Sequence, residues 1–109
     1  MILNFQNLRE STQAEKEKFW LATWAKDRKS IDIRRTIRGG SSHFAQILIT
    51  VYKKPNIVPW DSGKAKLKEF YAGHSDIIIS MNGKCDMDFE TYYTMGEAIL
   101  EAKTILNND

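Results

Sequence analysis

The feature that most constrains this chain is a pair of alternating segments separated by small residues. Across Ile31-Asp32-Ile33-Arg34-Arg35-Thr36-Ile37-Arg38, Ile31, Ile33, Arg35 and Ile37 fall on one side and Asp32, Arg34, Thr36 and Arg38 on the other. A period of two is that of a half-buried strand. Phe44 to Lys53 repeats the pattern, with Ala45, Ile47, Ile49 and Val51 set against Phe44, Gln46, Leu48, Thr50 and Tyr52. Gly39-Gly40-Ser41-Ser42 between them supplies a turn, so the two segments predict a β-hairpin.

The flanks supply further elements. Thr12-Gln13-Ala14-Glu15 has the spacing of a capping box and predicts a helix from there to about Lys26, with Trp20 and Trp24 four apart on one face. Ile2 to Phe5 fits either an edge strand or a segment packed along the body. Pro55 and Pro59 interrupt regular structure, and a short helix is expected from about Lys64 to Tyr71. Ile77-Ile78-Ile79 carries apolar side chains on both faces and predicts the most buried strand. Asn82-Gly83 then predicts a second hairpin, with alternating Lys84 to Phe89 as its return strand. Met95, Ile99, Ala102 and Leu106 follow helical spacing and predict a C-terminal helix from near Glu90, capped by Asp88 or Thr91.

These elements give an α+β class: a small antiparallel sheet of about four strands in two hairpins, with an N-terminal, a short middle and a C-terminal helix packed on it. At 109 residues, residues 1–109 are expected to form a single compact domain. A 42% apolar content with a net charge of only +2 fits a folded chain rather than a disordered one. No apolar run approaches the roughly 18 residues of a membrane span, so no membrane partner is expected. The opening residues lack the basic start of a secretory signal, and the one cysteine, Cys85, cannot form an internal disulfide. Both point to a cytoplasmic protein.

Charge is distributed unevenly: residues 1–54 carry 11 basic and 5 acidic side chains, residues 55–109 carry 5 and 9. The basic residues concentrate in Arg28, Lys29, Arg34, Arg35 and Arg38. Lys53 and Lys54 end the partner strand and fall near Arg28 and Lys29 in a simple hairpin register. Arginines beside amides and aromatics make up many nucleic-acid surfaces. The leading expectation is therefore a non-enzymatic protein that contacts DNA or RNA phosphates through Arg28, Lys29, Arg34, Arg35, Arg38, Lys53 and Lys54. The alternative is a protein-binding adaptor or inhibitor that docks through its charged faces, and a homodimer joined by opposite faces is compatible with either.

The chain carries no phosphate-binding, dinucleotide, zinc-protease or serine-hydrolase signature. No cofactor is expected. A small enzyme would need His43 or His74 gathered with a carboxylate or with Cys85, and the same Cys/His set would be the one arrangement suited to zinc. The plainer reading makes Cys85 a core residue beside Met87 and Phe89. Asp86, Asp88 and Glu90 form either a metal-holding row on a strand face or, more simply, the negatively charged start of a helix.

Overall fold

The two central strands pair with the buried and polar faces that their alternation predicts. In the computed structural model, which describes residues 1–39, 43–53, 76–83 and 85–108, strand β3 (Ser30–Gly39) pairs antiparallel with β4 (His43–Tyr52) from Ser30↔Tyr52 to Gly39↔His43. Its apolar side is buried: Ile31, Ile33, Ile47, Ile49 and Val51 are fully covered. Each such side chain contributes on the order of 1.5–3 kcal/mol of burial free energy.

The sheet is larger and less uniform than two hairpins. Among the described residues it has five strands in the order β1-β2-β3-β4-β5, with β1 (Leu3–Phe5), β2 (Trp20–Trp24) and β5 (Ile77–Gly83) completing it. The pairing of β1 with β2 is parallel and the other three pairings are antiparallel, so the sheet is mixed rather than antiparallel throughout. Helix α2 (Phe89–Asn107) lies across one face and buries Met95, Ala98, Ile99, Ala102 and Leu106 there. The class is α+β, as the element pattern implies.

The N-terminal helix is shorter than its spacing suggests. The capping box is present: Glu15 N donates to Thr12 Oγ1 at 3.1 Å and Thr12 N donates to Glu15 Oε1 at 2.9 Å. Helix α1 nevertheless ends at Lys18, after one and a half turns, and Phe19 is already extended. Phe19-Trp20-Leu21-Ala22-Thr23-Trp24 is rich in residues that favour strands. A separation of four also fits both periods, since it is one helical turn and two strand repeats. In β2 it puts Trp20, Ala22 and Trp24 on the α2 face, where Trp20 is buried and donates from Nε1 to Thr94 Oγ1 at 3.0 Å.

Strand β1 resolves the open choice at the N-terminus in favour of an edge strand. It is joined to β2 by a 3-10 turn (Leu8–Glu10) and α1, which provide the crossover a parallel pair requires. It is also tied to α2, because the amides of Ile2 and Leu3 donate to Glu101 Oε2 at 2.7 and 2.9 Å.

The second hairpin does not form. Asn82 and Gly83 end β5 opposite Gln46 and Ala45, and Cys85 to Asp88 run as irregular chain into α2. Gly83 has φ 106°, and a Cβ there would stand 2.4 Å from the Phe44 carbonyl oxygen. The glycine therefore closes a strand against its neighbour instead of turning a hairpin. Alternation after it serves a different end: Met87 is buried beneath the core while Asp88 accepts from the Thr91 amide at 2.8 Å as the helix cap. Nor is β5 the most buried strand. It is last in the sheet order, with Ile77 and Ile79 buried under α2 and Ile78 half-buried on the other face. The expected middle helix at 64–71 and the connection at 55–63 lie outside the described residues. Among the described residues, no helix is long and apolar enough to cross a membrane.

Candidate nucleic-acid interface

The face of the sheet away from α2 carries the polar sides of the hairpin. Arg34 stands opposite Leu48, Thr36 opposite Gln46, and Arg38 opposite Phe44; β5 extends the rows with Ser80 beside Leu48 and Asn82 beside Gln46. Helix α1 lies over this face near β3, so Lys16 reaches the same region. The space between them is a groove of about 240 Å³ lined by Lys16, Arg34, Thr36, Gln46, Ser80 and Asn82 over apolar Leu21 and Leu48. It runs on past Gln13 and Phe44 into a shallower hollow that shares Lys16, Thr36, Gln46 and Asn82.

Its cations differ in what they already bind. Lys16 and Arg34 have no carboxylate partner among the described residues. Arg38 is engaged twice: its Nε donates to Glu17 Oε1 at 2.7 Å and Nη2 to Glu17 Oε2 at 3.2 Å, while the guanidinium lies 4.7 Å from the Phe44 ring centre. This bidentate bond lowers the Glu17 pKa below the ordinary carboxylate range and raises that of Arg38. Asp32, on the same face, accepts from Thr50 Oγ1 at 3.0 Å.

The other basic residues named by the sequence are dispersed. Arg35 lies on the α2 face, its guanidinium 5.2 Å from the Trp20 ring centre, so the thickness of the sheet separates it from Arg34 and Arg38. Burial pushes its pKa down, and the charges of Glu90 and Asp88 oppose that shift. Arg28 sits in the β2–β3 turn at φ 61° with its guanidinium 4.7 Å from the Trp24 ring centre. Lys29 and Lys53 come together as the register implies, the Lys53 amide donating to the Lys29 carbonyl at 2.9 Å. Lys29 and Arg38 are nine residues apart along extended chain, about 30 Å, so Arg28, Lys29 and Lys53 form one end of the hairpin and Arg38 the other. Lys54 lies outside the described residues.

Lys16 is the residue that sequence reasoning missed. On its own helix it belongs to a mixed, solvated side, and only the packing of α1 over β3 brings it to Arg34. No local signal reports that placement.

The remaining candidates divide similarly. Trp20 is enclosed under α2 and is no stacking platform, whereas Phe44 is 43% exposed on the groove face. Trp60 and His74 lie outside the described residues. Cys85 is half-buried with its thiol 3.9 Å from the Ile37 carbonyl oxygen, while Phe89 is exposed, so the two do not share a core. Asp88 and Glu90 occupy the cap and first turn of α2, and among the described residues no cluster of metal-ligating side chains is found. Comparison with protein families, with curated proteins and with solved structures finds no match.

Proposed function

We propose that this domain is a non-enzymatic binding protein whose groove face holds the phosphates of a nucleic-acid strand. The observation that carries the reading is the convergence of Lys16 and Arg34, both without an acidic partner among the described residues, on one polar groove. A guanidinium offers a planar fork of donors to phosphate oxygens and an ammonium a compact charge. Gln46, Asn82, Thr36 and Ser80 add uncharged donors and acceptors alongside. At the mouth, exposed Phe44 under Arg38 offers a ring on which a base can stack, an interaction tolerant of sequence. The apolar floor and exposed ring favour a single strand, whose bases are free to turn inward. Arg28, stacked on Trp24, and Lys29 and Lys53 at the far end of the hairpin lie outside this groove and are not part of the proposed contact.

Fluorescence anisotropy with labelled single- and double-stranded DNA and RNA tests this reading. Wild type is expected to bind single strands more tightly and to weaken strongly between about 50 and 200 mM salt. Lys16→Ala/Arg34→Ala should weaken binding at low salt and reduce the slope of log affinity against log salt by about 1.4, two phosphate contacts at the single-strand value. No binding at the lower salt, or a double variant indistinguishable from wild type, overturns the proposal.

A further inference from the structure

On the opposite side of the molecule, α2 leaves a row of large apolar side chains in solvent. Phe89 is 82% exposed, Tyr93 61% and Leu100 68%. Spacings of four and seven put all three on one stripe of the helix, turned away from the buried Met95, Ala98, Ile99, Ala102 and Leu106. The stripe spans about 16 Å at 1.5 Å per residue. Its first two rings already stack, with centroids 6.4 Å apart, so part of the surface is ordered before anything binds. Three such side chains expose roughly 400 Å², the scale at which a surface patch commonly marks an interaction site.

The charge beside the stripe is mainly acidic, with Arg35 of β3 near its first turn and Glu97 farther along. Glu90 and Glu97, two turns apart, run along its edge and are exposed, with Asp88 at its start. The one basic residue of the helix, Lys103, is turned aside, bonded to the Asp76 carboxylate and donating to the Tyr52 carbonyl at 2.9 Å. We propose that this face docks an amphipathic helix of a partner protein, one that carries leucine-like residues on its contact side and lysine or arginine along its edge. Apolar anchors at helical spacing supply the affinity, and the acid row selects the partner by charge.

A second copy of the chain fits less well. A two-fold pairing that sets Tyr93 against Leu100 of another copy puts the axis between residues 96 and 97. The Glu97 carboxylates then meet across it, with no free cation on the helix to separate them. The same acids repel an anionic lipid surface or a nucleic-acid backbone. This inference stands apart from the reading of the groove, which lies across the sheet.

The test uses the whole chain and a labelled amphipathic peptide of about 18 residues, long enough to hold a helix, built from leucine and lysine at heptad spacing. A twin peptide with glutamate for lysine is the control. At about 100 mM salt, the lysine peptide is expected to bind and the glutamate peptide to bind at least about tenfold more weakly. Tyr93→Ser/Leu100→Ser should lose about tenfold or more in affinity for the lysine peptide, and Glu90→Gln/Glu97→Gln should lose several-fold. All replaced residues are exposed, so far-UV circular dichroism should be unchanged. Three results overturn the proposal: no binding of the lysine peptide, equal binding of both peptides, or a wild-type dimer in sedimentation that Tyr93→Ser/Leu100→Ser abolishes. In the last case the stripe is covered by a second copy.

Discussion

Replacing Trp20 by Phe tests the placement on which both faces depend, because Trp20 joins β2 to α2. The indole is 1% exposed, its Nε1 donates to Thr94 Oγ1 at 3.0 Å, and its ring lies 5.2 Å from the Arg35 guanidinium. Trp20→Phe leaves a gap of roughly 40 Å³, worth about 1 kcal/mol at the usual cavity penalty. The lost hydrogen bond adds about 1 kcal/mol, and the weaker attraction of Arg35 for a phenyl face adds a few tenths. The expected destabilisation is about 2–2.5 kcal/mol. Thr94→Val instead leaves the buried indole N–H without an acceptor, at about 1–3 kcal/mol. In the Trp20→Phe background the same valine should cost little, so the double-mutant cycle should show coupling of about 1 kcal/mol or more. Urea denaturation followed by far-UV circular dichroism measures all four proteins. A Trp20→Phe change below about 0.5 kcal/mol, within the range of ordinary surface substitutions, would refute the reasoning, as would strictly additive effects. Either would mean that Trp20 is not seated beneath α2.

Two further outcomes follow from the geometry. Gly83→Ala should lower the melting temperature, because φ 106° disfavours any side chain and the added Cβ meets the Phe44 carbonyl oxygen at 2.4 Å and Ala45 Cα at 2.9 Å; a calorimetric scan equal to wild type would contradict the close approach of β5 to β4. Acid should destabilise the fold. Asp88, held low by its hydrogen bonds with Thr91, and Glu15, held low chiefly by the Thr12 amide, both have depressed pKa values in the folded protein. Their contribution is present above the unfolded carboxylate value, about pH 4, and is lost as pH falls through the lower folded values. Asp88→Asn keeps a capping oxygen but removes that titration, so its stability should fall less steeply below about pH 4 than that of wild type.

The two proposed surfaces lie on opposite sides of one sheet, and the alternation of β3 separates them. Even-numbered Arg34 and Arg38 face the groove, while odd-numbered Arg35 faces α2 and sits near the charges of Asp88 and Glu90. The three arginines of β3 are thus two populations in space. Half-buried Arg35 lies against the Trp20 ring, and Arg34 on the other face is left without an acid among the described residues.

How much was legible from residues alone depended on how far apart the interacting groups are. The β3–β4 pairing, the buried isoleucines, the capping box at Thr12 and the buried stripe of α2 all arise from short-range periodicity. A side chain's direction relative to its near neighbours follows from the backbone geometry of its own segment. Where two periods agree, as at Trp20 and Trp24, the segment itself holds no deciding information. The strand was selected because β3 offers Trp20 to Trp24 a partner edge and α2 encloses the Trp20 indole. Likewise, Asn82-Gly83 is compatible with a turn or with a strand end. The neighbouring Ala45, 38 positions away in the chain, decided between them. The meeting of Lys16 with Arg34 and the exposure of Phe89, Tyr93 and Leu100 belong to the same class. Sequence by itself determined which residues alternate, cap and carry charge; tertiary structure alone decided which of them meet, because such contacts are made by packing between distant segments and leave no imprint on local spacing.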